Sequence, residues 1–494
     1  MKKFRTFLLL IIMLPCVFLF GGCATDPYVI GIEKTDSIGN NDVYTIYYSD
    51  NTSSSLTIEN GKDGQDAENI TIDDIFMSLV ERGEYSDTDE DYHRFLSDYL
   101  NFTLEENSTK DAVVNAVPSV LSIYVEHPIT SEFPPIYQEI TESKVYCGAG
   151  VIYEMNDEYS YIITNYHVVY QVDSATSDNI ARLIYAYPYG QNAIMYETDS
   201  EDALQAPTLE FGGNGVECSY IGGSMNYDIA VLKVSTPDLL SVSPDAKAVT
   251  VADGYGLADT AIAIGNPEGE GISVTSGIIS VTSEEISMKG VDNISTVTFR
   301  VMRIDCAING GNSGGGLFND KGELIGIVNS KLTTTSSGSS AENIAYALPY
   351  DNVTKVAENI IDQYESASYS LTGTAPSSSY FNVSKLYLGV SVTAENTQTS
   401  YDYISNEITI SDDVVVVDFS EDSLAESKGL MVGDIITSIV INDTEYKITR
   451  YYQLSDFLLM VRVGDNVIIN VSRDNLNQSI VIGEISLDMM NSIV

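Results

Sequence analysis

The pattern of apolar and polar positions divides the chain into four stretches. The first is a continuous apolar run over residues 7–20, preceded by Lys2, Lys3 and Arg5. A basic start before a short apolar core is the pattern of an export signal, and the run is too short to span a bilayer comfortably. Over residues 24–110, strand character at 43–48 and 55–58 around a Ser-Asp-Asn-Thr turn predicts a hairpin. Helical spacing follows in Ile72, Ile75, Leu79 and Val80, and again in Tyr92, Phe95, Leu96 and Tyr99. From about Ala112 the texture changes to short β-branched and aromatic runs separated by Gly, Asn and Asp. Strands are predicted at residues 120–125, 149–153, 161–164, 229–234, 261–264, 296–303 and 324–328. Many short strands without helical segments between them predict an all-β sandwich or barrel. Val353, Val356, Ile360 and Tyr364 share one helical face and close this region. Residues 366–384, rich in Ser, Thr and Gly, have the composition of a flexible linker. Residues 385–494 then form a last unit of domain size.

Composition narrows the functional classes. The chain has 494 residues, 44% of them apolar, enough for about three folded domains. With 24 Lys and Arg against 71 Asp and Glu, the net charge is −47. Such a surface repels phosphate backbones, which excludes nucleic acid as a partner. Cysteine use adds little: beyond Cys16 and Cys23, only Cys147, Cys218 and Cys306 remain, so at most one intramolecular disulfide could form and all three could be buried apolar residues. No Cys-x-x-Cys or His-x-x-x-His spacing supports a zinc site, and no loop has calcium-ligand spacing. The ending Phe20-Gly21-Gly22-Cys23 resembles a bacterial lipoprotein signal, with Phe20 where Leu is usual; the alternative is an ordinary secretory signal with an incidental Cys. The resemblance implies cleavage before Cys23 and acylation of its thiol. Removal of residues 1–22 takes away three cations and leaves a net charge of −50, so membrane affinity would come from acyl chains alone.

Three segments carry candidate chemistry. The first ends a predicted strand with Thr164-Asn165-Tyr166-His167-Val168-Val169. Only His93, His127 and His167 exist in the chain, and a lone His of this kind could equally be structural. The second, Tyr227-Asp228-Ile229-Ala230, places an acid before a strand, where an Asp also serves as a plain turn residue. The third is Asn309-Gly310-Gly311-Asn312-Ser313-Gly314-Gly315-Gly316. Glycines on both sides of Ser313 allow backbone N–H groups to converge on one spot, as an oxyanion requires. A phosphate loop is the rival reading, but no Lys follows the glycines and the next residues, 317–322, read as a hairpin. Together the three supply a weak nucleophile, a base and an acid to orient the base.

In order and local sequence these segments resemble the trypsin-like serine proteases, and specifically the bacterial HtrA family: TNYHVV, YDIAVLKV and DCAINGGNSGGGLFNDKGELIGIV match its signatures over residues 112–365. The resemblance implies a mainly β fold, with two six-stranded chymotrypsin-like barrels and the active site between them. It implies a catalytic triad of His167, Asp228 and Ser313, with an oxyanion hole formed by the N–H groups of Gly311 and Ser313. No cofactor is implied. The family commonly has Pro at the positions of Gly310 and Gly316, so this loop is expected to be more mobile and to need substrate for its ordering. Asp228 follows His167 by 61 residues, a long interval for the family, and residues 170–223 are expected to hang over the cleft as a cover or exosite.

By the same resemblance, Ala307 forms the base of the primary pocket and Ile308 a wall, which points to cleavage after small aliphatic residues; Asp305 is assigned a structural role. In the C-terminal region Tyr387, Leu388, Gly389 and Val390 resemble the carboxylate-binding turn of a PDZ domain, which implies binding of peptide C-termini. The resulting division is a signal at 1–22, an acidic accessory module at 23–111, a protease at 112–365, a linker at 366–384 and a PDZ domain at 385–494. The expected partners are polypeptide substrates, peptide C-termini, a membrane reached through the lipid anchor, and by family resemblance two further copies in a trimer. The expected place is the outer face of a bacterial membrane. The alternative function is a catalytically silent peptide-binding or scaffolding lipoprotein on the same fold.

Overall fold

A computed structural model describes residues 29–59, 72–95, 108–130, 140–198, 208–331, 343–370 and 380–493, apart from short gaps within them. The signal and Cys23 lie outside the described residues. No helix among the described residues is long and apolar enough to cross a membrane.

The chain divides into two compact units, residues 1–107 and 108–494. In the first, strands β1 (Val29–Ile38), β2 (Asn41–Tyr48) and β3 (Ser53–Glu59) form an antiparallel meander. The expected hairpin is its second and third strands. The helix Ile72–Glu81 buries Phe76 and Leu79, and Phe95 packs against them with Tyr85 and Tyr92.

The second unit contains the candidate site. Its N-terminal half holds β4 (Val120–Thr130), β5 (Ile140–Met155), β6 (Tyr159–Thr164), β7 (Leu183–Pro188), β8 (Ile194–Thr198), β9 (Thr208–Gly212), β10 (Val216–Glu217), β11 (Ser219–Ser224) and β12 (Ile229–Ser235). Seven of these run in one sheet in the order β10-β7-β4-β5-β6-β12-β11. After them β13 (Thr260–Gly265), β14 (Ser273–Lys289), β15 (Thr296–Ile304), β16 (Gly316–Phe318), β17 (Leu324–Lys331) and β18 (Ala345–Pro349) close into a six-stranded barrel, β13-β14-β15-β18-β17-β16. Central strands are buried on both faces, as in β6, where every residue but the first is buried. The exposed β14 alternates from residue to residue instead, the two-residue period of a half-solvated strand. A continuous core of Val151, Ile163, Ile229, Ile264, Phe318 and Ile327 joins sheet to barrel. The helix Tyr350–Ser370 lays Val353, Val356, Ala357, Ile360 and Ile361 onto that core, the stripe its sequence spacing specifies.

Two expectations need correction. Residues 170–223 are not a single cover: β7 pairs with β4, β10 with β7 and β11 with β12, so three segments of the interval are strands of the main sheet, while β8 and β9 pair with each other in a sheet of their own. One of its tyrosines belongs to the interior: Tyr187 is fully buried while its hydroxyl donates to the Gly212 carbonyl at 2.8 Å, whereas Tyr189 is exposed. The expected linker is also entered by ordered structure from both sides. The helix runs to Ser370, and Phe381–Leu386 is a strand, β19, lying parallel to β11. The buried side chain of Asn359 grips this strand, donating to the Ser384 carbonyl at 2.7 Å and accepting the Ser384 N–H at 2.8 Å. Gly222 permits the approach, since a Cβ there would lie 2.2 Å from the Phe381 carbonyl oxygen.

The C-terminal region has its own core, including Leu388, Val414, Ile436, Leu454 and Ile469, and is fastened to the barrel by charge. Arg300 of β15 is almost fully buried and donates to Asp351 at 2.7 Å and to Asp456 at 2.9 Å. Asp456 lies on the helix Gln453–Leu458 and also accepts from Asn352 at 2.8 Å. Removing one member of a buried pair strands the other charge, at a cost of about 3–5 kcal/mol. Asp456→Ala is therefore expected to lower unfolding stability by about 3 kcal/mol, measured by denaturant titration; a change below about 0.5 kcal/mol would show that the contact carries no weight.

Candidate active site

The site lies where the ends of β6 and β12 meet the barrel. His167 belongs to the one-turn helix Tyr166–Val169 directly after β6, and Asp228 sits immediately before β12. Because β6 and β12 are paired, with Ala230 opposite Thr164, residues 61 apart in sequence become neighbours. Asp228 has a left-handed backbone, φ 50°, a conformation that non-glycine residues hold only under external constraint. Asn165 supplies one such constraint by donating from Nδ2 to the Asp228 carbonyl at 2.9 Å.

The Asp228 carboxylate is surrounded by donors. Oδ1 accepts the backbone N–H of His167 at 2.9 Å, and Oδ2 accepts His167 Nδ1 at 2.7 Å and Asn329 Nδ2 at 2.5 Å. A carboxylate only accepts, so Nδ1 carries the proton and Nε2 is left with its lone pair. Burial pulls the His167 pKa down, but the Asp228 charge and hydrogen bond outweigh it, and the value is raised above the ordinary 6.5. The other histidines do not compete. His127 is fully buried with neither ring nitrogen paired, and burial lowers its pKa to about 4; His93 lies outside the described residues.

Ser313 approaches from the barrel side. Its carbonyl accepts the Ala149 N–H of β5 at 2.8 Å, and its hydroxyl donates to the Asn329 carbonyl at 2.9 Å. Such closeness needs residues without side chains: a Cβ at Gly314 would lie 2.2 Å from the Ala149 carbonyl oxygen. Gly311 has φ 89°, and neither its N–H nor that of Ser313 meets a protein acceptor among the described residues. Two free donors beside a nucleophile form a receptor for developing negative charge. The site thus offers a hydroxyl, an imidazole oriented by a carboxylate and unpaired N–H donors, the kinds of group that acyl transfer to a serine uses.

The remaining sequence-chosen residues are distributed as follows. Ala307 is exposed with its carbonyl held by Thr275 Oγ1 at 3.0 Å, while Ile308 packs in the barrel interior with Cys306, Ala345 and Ala347. Asp305 accepts the Ile278 N–H at 2.7 Å, a structural contact. The three cysteines among the described residues are free: Cys147 is half-buried, and burial pushes Cys218 and Cys306 up to about 12. Among the described residues no cluster of His, Cys, Asp and Glu is arranged to hold a metal ion. Far from the cleft, Leu388 is buried, Tyr387 is half-exposed, and the Leu388 carbonyl is taken by Ser423 Oγ and the Ala425 N–H. The residue that sequence reasoning missed is Asn329. Its signal was a polar side chain closing the apolar run Leu324-Ile325-Gly326-Ile327-Val328, a run whose last position is buried.

Residues 148–327 match the trypsin-like peptidase domain family. Among solved structures, the HtrA-type protease AlgW with decapeptide is 24% identical with a TM-score of 0.43, covering 76% of this chain and 98% of its own. Serine endoprotease DegS of Escherichia coli (strain K12) is 30% identical over 251 residues, 51% of this chain and 56% of that protein. Serine protease Do-like HtrA of Lactococcus lactis subsp. lactis (strain IL1403) is 28% identical over 388 residues, 76% of this chain and 81% of that protein. The chain is a serine endopeptidase homologous to the HtrA/Do-like proteases.

Two outcomes follow for this protease from the network around Asp228. With neutral His167 as the candidate base, kcat/KM should fall as pH drops through its pKa. The acid limb of the profile is expected to have its midpoint above pH 6.5. Asn329→Ala keeps the backbone carbonyl that faces Ser313 but removes the amide donor to Asp228. A hydrogen bond to a charged group is worth about 1.5–3 kcal/mol, so kcat should fall about tenfold to a hundredfold with KM little changed. Steady-state kinetics from pH 5 to pH 9 would reveal both, and an unaltered kcat in the variant would remove Asn329 from the site.

Proposed function

We propose that the protein is an exported serine endopeptidase that cleaves polypeptides of the cell envelope through an acyl-enzyme on Ser313. The observation that supports this reading is the link through Asn329, which donates to the Asp228 that orients His167 and accepts the hydroxyl of Ser313, beside two N–H groups without a protein acceptor among the described residues. In the proposed sequence Ser313 Oγ turns from the Asn329 carbonyl to His167 Nε2, attacks the scissile carbonyl and loses its proton to the imidazole. Asp228 stabilises the imidazolium, and the Gly311 and Ser313 N–H groups hold the oxyanion, each donor worth about 3 kcal/mol of transition-state stabilisation. His167 then protonates the leaving amine as the C–N bond breaks. Water, activated by the same base, hydrolyses the ester and restores Ser313.

Finer features belong to the same proposal. Ala307 offers no acid for a basic side chain, which favours cleavage after small aliphatic residues. In the C-terminal region the Tyr387-Leu388-Gly389-Val390 turn supports a PDZ-like role. Gly389 has φ 68°, and the N–H groups of Leu388 and Gly389 meet no protein acceptor among the described residues. Such donors suit a peptide carboxylate, with the adjoining strand adding the peptide as a further strand. Cys23 is proposed as the lipid attachment point, on the strength of the signal that precedes it.

The test compares the protein with its Ser313→Ala variant for casein cleavage and fluorophosphonate labelling, with and without peptides bearing free C-termini. Cleavage and labelling are expected only with Ser313 present. Identical behaviour of the two proteins would return the chain to the silent-scaffold reading. Peptide-library profiling of the active form is expected to show Val or Ala before the scissile bond, and a dominant Arg or Lys preference would overturn the pocket assignment.

A further inference from the structure

We propose that Tyr124, reaching from the N-terminal sheet to the loop between Gly265 and Gly271 that packs against the oxyanion-hole loop, is a positioning residue for the hole. The inference rests on the peptidase reading of Ser313 and adds to it a named device that sets the hole.

The peptide joining Gly310 to Gly311 decides which way the hole faces. The peptide between Gly310 and Gly311 is trans, so the C=O of Gly310 and the N–H of Gly311 point in opposite directions. The Gly310 carbonyl accepts the Glu268 N–H at 2.7 Å, and the Gly311 carbonyl accepts the Asn266 N–H at 3.2 Å. With its carbonyl held against the loop, the peptide must present the Gly311 N–H on the far side, where no protein group takes it. A flip of this one peptide would put a carbonyl oxygen where a donor is needed. Two consecutive glycines make such a flip sterically cheap. The conformation is therefore set by the two donors from the neighbouring loop, more than by the glycines themselves.

That loop in turn needs support. Glu268, Gly269 and Gly271 have φ of 55°, 75° and 105°, and a non-glycine residue persists there only where its surroundings over-determine it. Asn266, fully buried, clamps the loop from inside: Oδ1 accepts the Gly271 N–H at 2.8 Å, and Nδ2 donates to the Gly148 carbonyl at 3.3 Å. From outside the loop, Tyr124 on β4 donates its hydroxyl to the Gly269 carbonyl at 2.7 Å. Its ring is buried and stands edge-on to Tyr187 at 5.5 Å, so the hydroxyl is delivered by a rigid strut. A line of hydrogen bonds thus runs from β4 through Gly269 and Glu268 to Gly310. Gly311 cannot be replaced within it, because a Cβ there would lie 2.1 Å from the Asn266 carbonyl oxygen.

Tyr124→Phe in the full-length protein removes the hydroxyl and keeps the ring. It is expected to lower kcat about fivefold to tenfold, the worth of one hydrogen bond, with KM within about twofold. Affinity for a peptide boronate, whose tetrahedral adduct places an oxygen in the hole, should fall by the same factor. Binding of an uncleaved peptide to Ser313→Ala and to Ser313→Ala/Tyr124→Phe should be equal, which a merely structural role would not preserve. Unchanged kcat and boronate affinity, or a parallel loss of peptide binding, would overturn the proposal. Amide exchange in the unaltered protein provides a second test that needs no variant. The Asn266 and Glu268 N–H groups are expected to be protected, and exchange at unstructured rates would sink the positioning role even if Tyr124→Phe fails to fold. If wild type and Ser313→Ala behave alike towards substrate, the peptidase reading itself has failed; if only Tyr124→Phe matches wild type, the positioning role alone has.

Discussion

One carboxylate ties the two halves of the peptidase region together at the cleft. Asp228 is carried by the N-terminal sheet, as is His167, but its third donor, Asn329, comes from the far end of β17 in the barrel. A carboxylate enclosed by three donors is stabilised only while all three keep their places. Asn329 also faces the barrel's nucleophile, since its carbonyl receives the Ser313 hydroxyl. The same residue therefore reads the position of the acid through its side chain and that of the serine through its backbone. Displacement of sheet against barrel would disturb both ends of the triad at once.

Close backbone contact is the second condition, and it explains the glycines around Ser313 better than flexibility does. Gly314 lies against Ala149, Gly315 against the Ile264 carbonyl and Gly311 against the Asn266 carbonyl, each at a separation that leaves no room for a Cβ. These glycines let three segments from different parts of the chain meet over the nucleophile. Their cost is a loop with little intrinsic preference, which is why the neighbouring residues 266–268 supply two donors to it. The expectation that this loop would need substrate for its ordering came from the absence of proline. The fold supplies a restraint from another strand, which local sequence does not display.

Much of the fold was legible because alternation and apolar runs report burial directly. Each predicted strand between residues 120 and 328 lies within an observed one, and Val353, Val356 and Ile360 all face the core. The proposed triad could be named from the sequence because three local motifs each carry their own turn or glycine chemistry. What escaped was the class of residue whose importance comes from a distant partner. Tyr124 and Gly269 are 145 positions apart, and Asn329 and Asp228 are 101 apart. The sheet strands within residues 170–223 went unrecognised for a related reason. A tyrosine-rich strand looks amphipathic and superficial in sequence, yet Tyr187 is interior because a carbonyl waits for its hydroxyl.

The acidic excess also acquires a location. Six of the nine arginines are paired with carboxylates that the fold partly or wholly buries or joins across elements: Arg182 with Glu126, Arg300 with Asp351 and Asp456, Arg303 with Glu284, Arg450 with Asp412, Arg462 with Asp362 and Arg473 with Asp434. Glu126, Asp412 and Asp434 are essentially inaccessible, and a buried carboxylate is tolerable only with such a partner. These six arginines are thus committed to pairing within the fold, and the outer surface keeps the strong acidic excess of the chain. Its field reaches about 10 Å at an ionic strength of 0.1 M. Over that distance it opposes anionic surfaces and favours cationic segments, whatever the cleft itself prefers. Selection of a polypeptide would then occur in two layers, a screened and unspecific one at the surface and a geometric one at Ser313.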